Sequence, residues 1–440
     1  MSSIRQRLFA CIVTTGLATG AVGAQLLPSL PAVGGIGQAV GALPSLGAPL
    51  EQLLSTAQQQ TATAPSLDRI ALPDAIGSLT AASLLDLRRL RLALLVSAHK
   101  RELEQDERGN PVRRGVLVTV DPDPASLAGA IADGFRVERR DTNGDLGLTT
   151  VTLAVPGNMR VRMALRRLHQ TAPRLIADYD HVYEPSGGSL LASIAALAAG
   201  GSASGPAIAM IDGGVASHPS LARAAIEQRA FAGTAKATGH GTAIASLLVG
   251  EQGPFRGAAT GARLYVADVY GGSPAAGSAS AIVAALGWAA SKKPAAISIS
   301  LVGPANALLE RATQILARRG IPLVAAVGND GPAAPVQYPA AYAGVLAITA
   351  VDRNDRALPE AGRAAKLDYA APGADMAAAL PGNGYARVRG TSFAAPLVAA
   401  RIAEAGIAHL GAETAPGRGK VGRGIICHLC RIDPKVVGAK

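Results

Sequence analysis

Between Pro206 and about Leu410, short β-branched runs alternate with helical stretches. Ala207 to Ile211, Arg263 to Val269, Ala296 to Leu301, Ile321 to Val327 and Val345 to Ala350 are apolar and of strand length. Ser280 to Ser291 and Ala305 to Arg319 fall between them with helical spacing. Strands that are apolar on both sides, separated by helices, demand a parallel sheet covered on both faces. Aromatic residues are only 3% of the 440, so Ala, Val, Leu and Ile must build that core. With 49% hydrophobic and 17% charged residues, the chain is too apolar to be disordered throughout. Its length allows about two to three domains.

The formal charge of +11 does not by itself name a partner. Arg is scattered, its densest runs (Arg88, Arg89, Arg91 and Arg160, Arg162, Arg166, Arg167) sit on helical patterns, and aromatics are not interleaved with them. Nucleic acid is therefore not an expected partner. Only the N-terminus approaches the length of a membrane span, so no stable span is expected. There Arg5 and Arg7 precede the apolar run Leu8 to Ala24, which ends in small residues. That is the pattern of a cleaved signal peptide over residues 1–24, and it implies export to the outside or the periplasm. Cys427 and Cys430 then remain, as a local disulfide, a metal half-site or redox-active thiols. Zinc would need two further ligands, so the disulfide is favoured.

Residues 25–80, rich in Pro, Gly, Ala, Ser and Gln, read as a flexible linker. Over 81–106, Leu84, Leu87, Leu90 and Leu94 recur at helical spacing with the arginines between them, a basic amphipathic helix that either touches a membrane surface or, the commoner case, packs one face on the next domain. Residues 114–185 give strand (Gly115 to Val120), helix (within Asp121 to Gly134), strand (Phe135 to Arg140), a turn at Asp141 to Gly144, strand (Leu148 to Val155), helix (Met159 to Gln170) and strand (Leu175 to Tyr183). The order β-α-β-β-α-β is the ferredoxin-like plan. Residues 186–205 read as a connection, and 411–440 as a tail.

Four short stretches carry chemistry. Asp212 ends an apolar strand and precedes Gly213-Gly214. His240 stands between Gly239 and Gly241-Thr242, at the start of a helical run. Asn329 follows Gly328 at the end of another strand. Ser392 lies in Gly390-Thr391-Ser392, opening a helix that contains Pro396. Singly, each has an ordinary explanation as turn or cap chemistry. Together they supply what acyl transfer needs. A serine hydroxyl requires a base, the base requires an orienting acid, and the carbonyl oxygen requires a donor where negative charge develops.

These words, with His218-Pro219, Ile299-Ser300-Leu301, Tyr338-Pro339 and Ala371-Pro372-Gly373, resemble the subtilisin-like serine proteases over roughly residues 206–408. The resemblance implies an α/β fold, a subtilisin-like parallel sheet flanked by helices over 206–410. It implies a secreted serine endopeptidase acting on polypeptides. Asp212 would orient His240, His240 would act as base then acid, and Ser392 as nucleophile. Asn329 and the Ser392 backbone N–H would receive the oxyanion. Tyr270, Gly271 and Gly272 would form one strand beside the substrate, and Ser300, Leu301 and Val302 the other. The ferredoxin-like unit would be a propeptide domain, an intramolecular inhibitor cut off by the enzyme between about Glu184 and Gly205. No cofactor is required. Calcium is compatible with the resemblance, but no loop resembles a site.

Three positions depart from the family pattern. Ala243 stands where many relatives carry a second His. Val302 stands where Gly often follows Ser-Leu, and Gln337 where a small residue often floors the primary pocket. The last two imply a shallow or polar pocket. Two other classes compete: a catalytically inactive subtilase fold that binds peptides or assists assembly, and a surface adhesin with a long linker. The joint presence of Asp, His, Asn and Ser disfavours the first, and the second rests on residues 25–80 alone.

Overall fold

The structure, a computed structural model, describes residues 80–186, 203–273 and 275–439. The signal-peptide reading, nearly all of the linker and most of the connection lie outside these residues. Helix α1 (Ala81–Ala98) leads into strands β1 (Leu103–Gln105) and β2 (Pro111–Val120), helix α2 (Pro124–Ala132), strands β3 (Arg136–Asn143) and β4 (Leu148–Ala154), helix α3 (Val161–Thr171) and strand β5 (Ala177–His181). β4 lies between β2 and β3, and β5 pairs with the other edge of β2, all antiparallel. This is the split β-α-β order expected from the sequence. One detail differs. The β3–β4 turn was placed at Asp141 to Gly144, but β3 continues through Asn143. The chain reverses over Gly144 to Gly147, where Asn143 Oδ1 accepts the Leu146 N–H at 3.0 Å.

After the short β6 (Glu184–Pro185), the larger unit begins with β7 (Ala207–Asp212) and β8 (Ala225–Ala230). Then come α4 (Gly239–Val249), β9 (Glu251–Gln252), β10 (Phe255–Arg256), β11 (Arg263–Asp268) and α5 (Ala279–Ser291). β12 (Ala296–Ile299), β13 (Leu301–Val302), α6 (Ala307–Arg318), β14 (Leu323–Ala326), β15 (Val345–Val351) and β16 (Tyr369–Pro372) follow. β17 (Met376–Ala379), β18 (Tyr385–Val388) and α7 (Thr391–Ala405) complete it. Seven strands form one parallel sheet in the order β16-β15-β14-β12-β7-β11-β8.

The two-residue period of β7 shows why the sheet needs two covers. Ile208 and Met210 face a core closed by α4 and α7, while Ala209 and Ile211 face one closed by α5 and α6. That second core also takes Val118, Val120, Leu148 and Tyr183, so the N-terminal sheet lies over α5 and α6. Its opposite face is covered by its own α2 and α3. Asp178 Oδ2 accepts the N–H of Ala307 at 2.9 Å, at the start of α6. Asp180 accepts the Ser280 N–H at 2.9 Å, in the first turn of α5. Carboxylates at helix N-termini are favourable for both the free N–H groups and the dipole.

The C-terminal residues, read as a tail, form part of the larger unit. Ile426, Cys427 and Ile432 are buried in the α4–α7 core. The Gly424 carbonyl and the Ile426 N–H pair with Ala370 on the edge strand β16 at 3.0 and 2.8 Å. Cys427 and Cys430 form a disulfide. Among the described residues no single helix is long and apolar enough to cross a membrane.

Candidate active site

Each chemical side chain sits where a strand ends or a helix begins, at the C-terminal ends of the parallel strands. Asp212 is the last residue of β7, and one of its oxygens accepts the Gly213 N–H at 2.7 Å. His240 is in the first turn of α4, whose N-cap Thr238 accepts the Gly241 N–H at 2.9 Å. The helix start must lie directly on the end of β7. A Cβ on Gly241 would stand 2.3 Å from the Gly213 carbonyl oxygen, so only glycine fits. The result is a carboxylate facing one imidazole nitrogen: His240 Nδ1 lies 2.9 and 3.0 Å from the two Asp212 oxygens. A carboxylate partner there fixes the tautomer, with the ring proton on Nδ1 and the lone pair on Nε2.

Ser392 is in the first turn of α7, and the ring of the following Phe393 lies 5.4 Å from the His240 imidazole. Among the described residues, neither His240 Nε2 nor Ser392 Oγ has a hydrogen-bond partner, although both atoms are buried. An imidazole nitrogen and a hydroxyl left unsatisfied at adjoining helix starts are free to engage a further group.

Asn329 follows β14. Its Oδ1 accepts the Thr391 N–H at 2.9 Å, which fixes the direction of the amide. Its Nδ2 donates to the carbonyl of Ser186. Ser186 is held two more ways. Its N–H donates to the Ser300 carbonyl at 2.8 Å, and its hydroxyl lies 3.1 Å from that of Thr391. The Ser300 hydroxyl in turn donates to the Ser392 carbonyl at 3.0 Å. Upstream, Pro185 and Glu184 pair antiparallel with Leu301 and Val302. Residues 184–186 of the chain itself thus pair with Ser300, Leu301 and Val302, the residues expected to lie beside a substrate.

Tyr270, Gly271 and Gly272 do not form the opposite strand. Gly271 and Gly272 have φ of 30° and 76°, and a Cβ on Gly271 would overlap the Ala232 carbonyl oxygen. This is a tight turn, with the Tyr270 and Gly271 N–H groups bonded to Asp268 at 2.9 and 3.1 Å. Burial pushes the Asp268 carboxyl up from its ordinary pKa, against those N–H donors. The pairing passes instead to Gly277 and Ser278. Gly277 accepts the Tyr183 N–H at 2.9 Å, and Ser278 bridges Val182. Tyr270 contributes its hydroxyl alone, donating to the Tyr183 carbonyl at 3.2 Å. No sequence signal marked Gly277, because a glycine in a loop carries no mark of a strand partner.

Gln337 is buried. Its Nε2 donates to the Pro335 carbonyl at 2.7 Å, while Oε1 has no partner among the described residues. Its side chain lies near Gly328 and Val302, beside the strand that holds residues 184–186. His218 is structural: its ring lies between the Ser220 hydroxyl at 2.8 Å and the Gly384 carbonyl at 3.1 Å. Burial lowers its pKa, so it favours the neutral form. Among the described residues no group of three or more His, Cys, Asp or Glu could hold a metal ion.

The family model described as the subtilase family matches residues 203–410. Subtilisin Savinase of Lederbergia lenta is 37% identical over 173 residues, which are 39% of this chain and 64% of that enzyme. The alkaline protease of Alkalihalobacillus alcalophilus is 37% identical, over 39% of this chain and 45% of that one. The chain therefore spans less than two thirds of the length of these curated relatives. Among solved structures, fervidolysin from Fervidobacterium pennivorans, a keratinolytic enzyme related to subtilisin, is similar in fold. Its TM-score is 0.57 at 18% identity, over 72% of this chain and 60% of that one. The epidermin leader peptide processing serine protease from Staphylococcus aureus gives 0.52 at 14%, over 71% and 96%. Both likenesses cover more of the chain than residues 203–439 supply.

Proposed function

Residues 203–410 are a domain of the subtilase family, and from that premise we propose that this chain is an exported serine endopeptidase made as a precursor that cuts itself between Ser186 and Gly187. The observation that carries the reading is the Ser186 carbonyl. It accepts the Asn329 amide while residues 184–185 pair with β13, so the chain before that carbonyl lies along the site as a substrate would.

The chemistry follows from the geometry. Ser392 Oγ attacks the carbonyl carbon of Ser186, and His240 Nε2 takes its proton. Asp212 holds the other ring nitrogen as the donor and stabilises the imidazolium that forms. The oxygen becomes an oxyanion where Asn329 Nδ2 and the Ser392 N–H donate. His240 returns the proton to the leaving nitrogen of Gly187, and water then hydrolyses the acyl-enzyme. The residues up to Ser186 remain in the cleft as product and inhibitor. Ser186, a small residue, fits a primary pocket shortened by Gln337. Export rests on the N-terminal pattern of Arg5, Arg7 and Leu8 to Ala24.

Mass measurement of the purified chain tests the proposal. Wild type, expressed in a host stripped of other proteases, should yield a species beginning at Gly187. Ser392→Ala and His240→Ala should remain whole and lose peptide hydrolysis by roughly 10⁶-fold. A Ser392→Ala chain cut at the same bond, or with activity within about tenfold of wild type, defeats the assignment.

A further inference from the structure

Helix α1 stands apart from the split β-α-β unit, yet it is docked against the active site. Its N-cap Thr80 accepts the Ser83 N–H at 3.1 Å, and it buries Leu84, Leu90, Leu92 and Leu94. Of its arginines, Arg89 stays exposed, while Arg88 and Arg91 are turned inward. Arg91 Nε donates to one Glu184 oxygen at 2.9 Å and its terminal nitrogen to the other at 3.1 Å. That same nitrogen donates to Asp330 at 3.1 Å. Arg88, only 7% exposed, brings its Nε within 3.2 Å of the other Asp330 oxygen and donates to Asn110 at 3.2 Å. Leu84 lies on Gly331, where a Cβ would stand 2.8 Å from the leucine methyl.

Three consecutive residues of the family domain, Asn329, Asp330 and Gly331, thus serve two ends. The first meets the Ser186 carbonyl, and the other two meet α1. One guanidinium holds the carboxylate of Glu184, two residues before Ser186, to the carboxylate of Asp330 beside the amide. Without a cation between them these acids repel, and cutting after Ser186 adds a third carboxylate at the new chain end.

We propose that α1 is a latch on the Asn329–Gly331 loop: through Arg91 it clamps the cut end of residues 80–186 in the cleft, so that cleavage alone does not free the enzyme. The latch rests on the self-cleavage reading and adds the release step to it. Arg91 is a positioning residue, acting through Glu184 and Asp330. It departs with the fragment, so matured wild-type and Arg91→Ala enzymes have the same sequence, and any difference belongs to the precursor.

The test uses the full chain as wild type, Arg91→Ala, and Arg91→Glu combined with Glu184→Arg, which again places one cation between two carboxylates. Mass spectrometry reads the cut after Ser186. Gel filtration after dilution reads how long the fragment stays, and the lag before peptide hydrolysis reads release. All three should be cut. Arg91→Ala should lose its fragment about 10- to 100-fold faster, with a shorter lag, and the exchanged pair should hold it near the wild-type rate. Should Arg91→Ala fail to mature, Arg91→Lys keeps the charge without the fork and should also release faster than wild type. A normally cut Arg91→Ala or Arg91→Lys chain that keeps its fragment as long as wild type overturns the latch alone. A wild-type chain that is never cut overturns both the latch and the self-cleavage it rests on.

Discussion

Asn329 uses both ends of one amide, its oxygen on the Thr391 N–H and its nitrogen on the Ser186 carbonyl. The first bond aims the second. In the proposed mechanism, Asn329→Ala removes the donor where charge develops but leaves Asp212 and His240 in contact. It should lower kcat by about 10²- to 10³-fold with little change in KM, because the donor matters most in the transition state. Steady-state kinetics on a peptide checks this, and a drop confined to KM would contradict it. Asp212, His240, Asn329 and Ser392 were legible in the sequence because glycine or small residues must flank them. Gly241 shows the reason, a helix start lying against a carbonyl with no room for a side chain. Ser186 was not legible. A serine between proline and two glycines looks like any loop, and its position depends on partners at 300, 329 and 391, far along the chain.

Elements were legible where their period was clean. β7, β11, β12, β14 and β15 bury both faces and read as unbroken apolar runs. β8 was missed because Glu227, Gln228 and Arg229 give an edge strand a polar sequence. β16 is short and rich in Ala and Pro, with little β-propensity to mark it. How one unit sits on the other depends on β5. Asp180 is fully buried and accepts from the Ser280 N–H and hydroxyl at 2.9 and 2.8 Å and from Arg113 at 2.9 Å. Asp180→Ala takes the acceptor from the part-buried Ser280 N–H and from Arg113. The loss should be about 1–3 kcal/mol, and under the proposed self-cleavage it falls on the precursor and not on the enzyme without residue 180. Urea unfolding of Ser392→Ala precursors with and without the change measures it. An unchanged midpoint would mean that this carboxylate does not hold the two units together.

At the scale of the molecule, the sequence division at residue 410 cuts through one packed body. Ile425 packs on Val351 and Ala370, and Ile426 and Ile432 enter the core between α4 and α7. The segment also satisfies backbone groups that would otherwise form a bare edge. Ala370 donates to the Gly424 carbonyl at 3.0 Å, and Ala377 donates to the Ile432 carbonyl at 2.9 Å. The pattern of Gly, Lys and Arg around these residues hid them, since three isoleucines in an otherwise polar stretch have no period to betray a core role. Fully burying each is worth about 1.5–3 kcal/mol, and a whole domain is held by only about 5–15 kcal/mol. A chain ending at Glu413 should therefore lose most of its stability, with β16 exposed as a sticky edge. It should be recovered largely as aggregate, and any soluble fraction should unfold at a far lower urea concentration. Loss of the disulfide alone should matter much less, because Cys427 and Cys430 close a very short loop and the isoleucines remain buried. Circular dichroism of the truncated chain beside a Cys427→Ser, Cys430→Ser chain separates the two causes. If truncation leaves the midpoint where the double serine variant leaves it, the buried isoleucines do not carry the stability assigned to them.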